Sequence, residues 1–163
     1  MNGKGAIAFV VGLCLLIATG GAGLAADPVA LVTAQLKTAI FHAGQLAVRG
    51  ARTGTPGGPE VTVPVLATRE HLQHVINCIE GPGGKDFKTA SGYPCQGQGN
   101  GILVDLKTAQ TADVGGAARA TIFVNAALHV AMSAVGSADV NESQPFAAVV
   151  ARNLQLALEA ITR

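Results

Sequence analysis

The chain of 163 residues has no tryptophan, a single tyrosine and few charged side chains. Aromatic residues make up 4% and charged residues 13% of it, whereas 49% are hydrophobic, chiefly alanine, leucine and valine. The core of a β-sandwich usually draws on β-branched and aromatic side chains, so this composition argues against that class. Small aliphatic side chains suit helices that approach closely. The composition therefore predicts an all-α protein of one domain.

The chain also lacks an excess of charge of either sign, with a formal net charge of +1. Lys4 is the only charged residue among the first 26, so that 10 basic and 10 acidic side chains remain beyond them. No basic patch interleaved with aromatic residues is present. Nucleic acid is therefore not expected as a partner. Nothing electrostatic indicates a protein partner, and a homo-oligomer stays open.

Several motifs that define cofactor-binding or catalytic classes are missing. The chain has no CxxCH motif for covalent haem, no HExxH zinc helix and no Glu-x-x-His pair of a di-iron bundle. The glycine run at 97–101 lacks the preceding strand and the Lys-Ser/Thr pair of a phosphate-binding loop. No serine can be tied to a base at an informative spacing. The sequence therefore favours a protein that is not an enzyme.

The first 26 residues have the features of an export signal. Lys4 precedes an apolar run at 6–17, and a tail of small residues follows. Gly23 and Ala25 fit the −3 and −1 positions of a signal-peptidase site, which predicts cleavage after residue 25 or 26. The alternative, a membrane anchor, needs an apolar run of about 20 residues. We expect a periplasmic or secreted bacterial protein in which residues 27–163 form one helical domain without a stable membrane span.

Two cysteines, Cys78 and Cys95, remain once the segment that contains Cys14 is removed. In an oxidising compartment such a pair is expected to form a disulfide. Closing a loop of the 16 residues between them contributes about 3 kcal/mol in the loop-entropy account. The alternative, a metal–thiolate pair, lacks the CxxC spacing of thiolate sites.

Hydrophobic periodicity and helix-boundary signals predict four helices, at residues 28–49, 68–80, 116–135 and 143–162. The first begins at Asp27-Pro28, an N-cap acid followed by proline at the first helical position. The third is apolar nearly all round, which is typical of a buried central helix or a membrane span. Its polar residues favour the buried helix. The expected fold is an antiparallel four-helix bundle with a disulfide-closed, glycine-rich loop.

Two connections interrupt this helical pattern. Residues 52–64 contain three prolines and three glycines, which excludes a helix interior, and residues 61–65 are expected to be extended. Residues 81–101 contain seven glycines and two prolines, so we expect no regular structure there. The apolar stretch at 102–106 is expected to cap the bundle.

Two of the four histidines stand three residues apart on the second predicted helix. His71 and His74 can therefore direct their rings to one point. On a helical wheel they share the inward side with Cys78, whereas Gln73 and Asn77 fall on the outward side.

His129 on the third helix and His42 on the first complete a candidate site of two to four imidazoles. Imidazole suits copper, zinc and haem iron, which makes these the candidate cofactors. The alternatives are structural histidines that hydrogen-bond a carbonyl or carboxylate, and histidines in acid–base roles.

The run His71-Leu-Gln-His-Val-Ile-Asn-Cys78, followed by Glu-Gly-Pro-Gly-Gly and then by Pro-Cys95-Gln-Gly-Gln-Gly-Asn-Gly, resembles a segment of small exported bacterial helical proteins. The resemblance covers the middle third of the chain and brings no activity with it. It implies that His71, His74, Cys78 and Cys95 belong to one constellation. Two hypotheses follow: a protein that binds a metal ion or haem through its histidines, and an interaction module that presents residues 81–98.

Overall fold

The computed structural model describes residues 26–47, 65–137 and 140–163, and these residues are all-helical, as the composition predicts. Five α-helices are present in them: α1 (Pro28–Phe41), α2 (Val65–Glu80), α3 (Ile102–Thr111), α4 (Ala117–Gly136) and α5 (Val140–Ile161). A π-helical turn, His42–Ala47, continues α1, and a 3₁₀ turn, Thr89–Ser91, lies between α2 and α3. The predicted export signal up to residue 25, the predicted helix end at 49 and the connection at 52–64 lie outside the described residues.

The first two helices follow the predicted pattern closely. α1 starts as expected, because the Asp27 carboxylate accepts a hydrogen bond of 2.9 Å from the backbone N–H of Val29. Its buried stripe includes Val32 and Leu36. α2 begins at Val65, three residues before the predicted start, and its buried face carries Leu72, Val75, Ile76 and Ile79. These two stripes fix how both helices are rotated toward the core.

The stretch expected to be a short apolar cap is instead the start of a ten-residue helix, α3. Ile102, Leu106 and Ala109 are buried at helical spacing, so the periodic signal is present in the sequence. The start signal is what is missing, because Gly101 occupies the N-cap position and offers no side-chain cap.

α4 buries mainly one side rather than its whole circumference, which corrects the expectation of an all-round buried helix. The buried residues of α4 are mostly alanines, which let α5 approach closely, while Ile122 on the outer side is 67% exposed. Phe146 of α5 is likewise 41% exposed. By length and composition α4 is, within the described helices, the one that could cross a membrane.

The connection between α2 and α3, residues 81–101, returns to its starting point. Gly81 and Gly101 have positive φ angles of 72° and 120°. A Cβ at Gly81 would collide with the carbonyl of Asn100, and one at Gly101 would collide with the carbonyl of Glu80. The two ends of the 81–101 connection therefore lie against each other, and only glycine permits this approach.

A pair of buried polar side chains fastens the far end of this connection to α1. Gln35 Nε2 donates a hydrogen bond of 2.6 Å to Asp105 Oδ2, and Gln35 Oε1 accepts one of 3.0 Å from the N–H of Gly101. The Asp105 carboxylate also accepts from the N–H and the side-chain amide of Asn100 at 2.9 and 3.1 Å. Asp105 lies in the first turn of α3, where a carboxylate is favoured by the helix dipole.

The predicted disulfide between Cys78 and Cys95 is confirmed. The sulfur atoms are 2.06 Å apart, the Cα atoms 5.4 Å apart, and both cysteines are fully buried. The bond joins the last turn of α2 to the 81–101 connection. It therefore fastens the inner part of the connection to α2, while Gly81 and Gly101 allow its two ends to lie against each other.

We predict that replacing both cysteines by alanine lowers the free energy of unfolding by about 3 kcal/mol, because the unfolded chain regains the entropy of an open loop. Urea unfolding followed by circular dichroism measures the change. Added reductant should destabilise the wild-type protein toward the same value and leave the double variant unaffected. An equal effect of reductant on both proteins would contradict the assignment of the stabilisation to this bond.

Candidate metal centre

Helix α2 presents His71 and His74 on one side, one turn apart. Leu72, Val75 and Ile79 anchor the neighbouring face of the helix in the core, which fixes the direction of the two imidazoles. The ring centroids of the two histidines lie 5.6 Å apart. Both side chains are half-buried at the edge of the packed face, as the helical wheel predicts.

His42 reaches the same place from the π-helical turn that continues α1. Its ring centroid lies 5.4 Å from that of His71 and 4.9 Å from that of His74. Short π-helical turns inside or at the end of α-helices are frequent at functional sites, because they redirect side chains that a regular helix would place elsewhere. The two elements thus bring three of the four histidines together.

The three imidazoles converge through the same ring atom. His42 Nδ1 lies 3.3 Å from His71 Nδ1 and 3.3 Å from His74 Nδ1. Each ring offers one nitrogen to a group in which all such atoms lie within 4.8 Å of one another. Zinc–nitrogen bonds of about 2.0–2.1 Å place the corners of a tetrahedron about 3.3–3.4 Å apart. Two of the three nitrogen pairs therefore already have the spacing of ligands around a tetrahedral ion.

The Nδ1 atoms of the three histidines cannot all be hydrogen-bonded to one another. His74 Nε2 is hydrogen-bonded to the carbonyl of Ser91, which can only accept, so in the neutral ring Nε2 carries the proton and Nδ1 is bare. If His42 Nδ1 carries a proton, it donates to one neighbour only. If it is bare, it faces the lone pair of His74. In either case one of the two 3.3 Å contacts is not a hydrogen bond, and a cation between the lone pairs would relieve it.

Burial favours the neutral, metal-binding form of two of the three histidines. It lowers the pKa of His42 to about 4, and the neighbouring charges of His74 and His71 act in the same direction. Burial, then His74, also lowers the pKa of His71, while Glu70 opposes this shift. At neutral pH both rings are therefore unprotonated, and protonation does not resolve the lone-pair contact.

The outward side of α2 is not solvated where Gln73 and Asn77 lie, which corrects the prediction from the helical wheel. Both side chains are buried beneath the 81–101 connection. Gln73 Nε2 donates to the carbonyl of Asp86 at 2.9 Å, and Asn77 bonds the backbone of Lys88 and Gly92. A signal for this contact exists in the sequence. Two amides at i and i+4 precede a glycine-rich segment whose backbone groups need partners.

His129 lies apart from this cluster. Its side chain is exposed on the outer side of α4, and the group of converging ligand atoms contains His42, His71 and His74 only among the described residues. The structure thus brings together three of the four histidines proposed from the sequence. Because α4 buries its alanine side against α5, the side that carries His129 is turned to solvent.

No family model matches the chain, and comparisons with curated proteins and with solved structures also find no match. The resemblance to small exported bacterial proteins therefore stays a prediction.

We predict a native pKa near 4 for His42 in the metal-free protein, to be measured by an NMR titration of the histidine ring signals. The unfolded chain takes up this proton at the ordinary pKa of 6.5, whereas the folded chain does not. The free energy of unfolding should therefore fall as the pH is lowered from 6.5 toward 4, with His71 acting in the same direction. His42→Gln should make this fall shallower. A midpoint of His42 near its ordinary value would contradict the packing described.

Proposed function

We propose that this protein binds one transition-metal ion through His42, His71 and His74. The observation that carries the proposal is the convergence of three imidazoles on one point, with two nitrogen pairs 3.3 Å apart. The hydrogen bond from His74 to a backbone carbonyl supports it, since metal-binding histidines almost always donate their second ring nitrogen in this way.

The donor set favours zinc or copper. Imidazole nitrogen suits zinc, copper, nickel and iron, whereas calcium and magnesium require oxygen ligands. The converging group contains neither a carboxylate nor a thiolate among the described residues. In the usual order of affinity for such a site, Cu²⁺ binds more tightly than Zn²⁺. We therefore expect both ions to bind and copper to displace zinc.

Among the three cofactors proposed from the sequence, haem fits this geometry least well. A haem iron accepts two axial ligands from opposite faces of the macrocycle, so the ring system would have to pass between two nitrogens. His42 Nδ1 lies only 3.3 Å from each of its partners, and the three rings contact one another edge to face or tilted. This spacing accommodates a bare ion and leaves no room for a macrocycle between two of the three rings.

Three protein ligands leave a tetrahedral ion with one further position, which water fills in many sites of this kind. The three rings are half-buried, so the ion stays within reach of solvent. We therefore propose a binding role, such as the carriage or storage of an ion, in which the metal enters and leaves.

An exported location fits the same proposal. An intramolecular disulfide is typical of oxidising compartments, and the sequence carries the features of an export signal. We propose that the protein is periplasmic or secreted. The arrangement of α1, α2, α4 and α5 as an antiparallel four-helix bundle likewise stays a prediction within the all-α fold.

We predict that the chelator-treated protein binds one Zn²⁺ per chain, measured by elemental analysis and by titration calorimetry. His42→Gln, His71→Gln and His74→Gln should each weaken binding by more than the roughly 10–100-fold that the loss of an outer-shell partner causes. His129→Gln is the matched control, because it removes an exposed histidine outside the cluster, and it should bind zinc as the wild type does.

Two outcomes would overturn the proposed function. One is a wild-type protein that takes up neither zinc nor copper. The other is an equal loss of affinity in His129→Gln, which would assign binding to scattered surface histidines. Circular dichroism of each variant should be unchanged, so that lost binding is not lost folding.

The alternative function is an interaction module that presents residues 81–98 of the connection between α2 and α3. The observation that favours it is a set of exposed side chains on a backbone that Gln73 and Asn77 fasten to α2. These exposed residues are Lys85, Lys88, Thr89 and Ala90. A metal-free protein that ignores added zinc and copper would favour this alternative. Binding of one ion by the three clustered histidines would favour the metal site.

A further inference from the structure

We propose that Asn77 is a positioning residue for the metal site. It clamps the 3₁₀ turn Thr89–Ser91 so that the Ser91 carbonyl holds the His74 ring with Nδ1 directed at the ion. The inference rests on the proposed function and deepens it. It states which part of the 81–101 connection the ligand set depends on, and through which atoms.

The Asn77 side chain uses its full hydrogen-bonding capacity inside the protein, where it is fully buried. Its Nδ2 donates to the carbonyls of Lys88 and Gly92 at 2.9 and 2.6 Å. Its Oδ1 accepts from the N–H of Lys88 and from Gln73 Nε2 at 2.9 and 3.1 Å. An amide makes at most two donor and two acceptor bonds of this kind, so no capacity is left over.

Three of these bonds, those to the backbone of Lys88 and Gly92, fix both ends of one short turn. Lys88 precedes the 3₁₀ turn and Gly92 follows it, and the turn closes on itself through Ser91 N–H to Lys88 and Gly92 N–H to Thr89. Gly92 has a φ of 85°, which lets the chain leave the turn while its carbonyl faces Asn77. Ser91 is the last residue of the turn, so its carbonyl is placed by the clamp.

The Ser91 carbonyl then fixes the tautomer and the orientation of the His74 ring. His74 stands one turn before Asn77 on α2, and its Nε2 bonds the Ser91 carbonyl. Because a carbonyl only accepts, the bond keeps the proton on Nε2 and the lone pair on Nδ1. An outer-shell partner of this kind fixes the tautomer and ring orientation of a metal-binding histidine and raises its basicity. The ring is thus oriented before the ion arrives.

The experiment compares Asn77→Asp and Asn77→Ala with the wild-type protein, and the probe is Zn²⁺ in competition with a chelator. Asp keeps the size and the acceptor of Asn77 but cannot donate to Lys88 and Gly92. We expect both variants to bind zinc about 10–100-fold more weakly. A Co²⁺ derivative should show a shifted absorption spectrum, which a loss of stability alone would not produce.

Gln35→Ala is the matched control. Gln35 is an equally buried amide that fastens the far end of the same connection, but it does not touch the turn that carries Ser91. Its loss should lower the free energy of unfolding and leave the zinc affinity and the Co²⁺ spectrum unchanged. If Gln35→Ala weakens zinc binding as much as the Asn77 variants do, the connection acts as a whole and the clamp is overturned.

A measurement on the wild-type protein alone keeps the inference falsifiable even where a variant does not fold. In the metal-free wild-type protein, ¹⁵N NMR should show His74 protonated at Nε2, with a slowly exchanging proton. A proton on Nδ1, or rapid exchange at Nε2, would overturn the inference. A wild-type protein that binds no zinc overturns the proposed function. Zinc binding that is equal in the wild type and the Asn77 variants overturns only the clamp.

Discussion

The attachment of the 81–101 connection to helix α2 is the constraint on which the candidate site depends. A segment with seven glycines has a large conformational entropy, which opposes any fixed shape. The Cys78–Cys95 bond removes part of that entropy from the unfolded chain, and the Asn77 amide gives the folded backbone hydrogen bonds that it cannot make with itself. The disulfide thus destabilises the unfolded state of this segment, whereas the hydrogen bonds of Asn77 stabilise its folded state.

The 81–101 connection is held at two places along its length. The disulfide and Asn77 hold its middle against α2, whereas Gln35 and Asp105 hold its end against α1 and α3. The polar side chains at both places are buried, and their burial is tolerated because they are hydrogen-bonded. A connection fixed at both places can present one carbonyl, that of Ser91, to an imidazole on a neighbouring helix.

Much of the fold could be predicted from the sequence, because its signals are local. The Asp27-Pro28 start of α1, the end of α2 at Glu80 and the pairing of the two cysteines are confirmed. α3 has no start signal in the sequence, because glycine occupies its N-cap. The buried side of α4 is not evident from the sequence either, because hydrophobic residues surround the helix and only packing decides that alanines face inward.

The site was predictable in part, for the same reason. The pair His71 and His74 follows from helical spacing, which is local. That His42 joins them and His129 does not depends on the rotation of whole helices and on a π-helical turn, which hydrophobic periodicity does not encode. The burial of Asn77 does not follow from a helical wheel, because a wheel shows one helix and not the loop that covers it.

Proton and metal ion compete for the same lone pairs, and the fold disfavours the proton. Burial beside other basic rings makes His42 and His71 harder to protonate, because the added charge would be desolvated and repelled by a charged neighbouring imidazole. An ion held by all three nitrogens differs, since its charge is shared among ligands that are already oriented toward it. The packing that lowers the pKa of His42 therefore leaves its lone pair free for an ion over the physiological pH range.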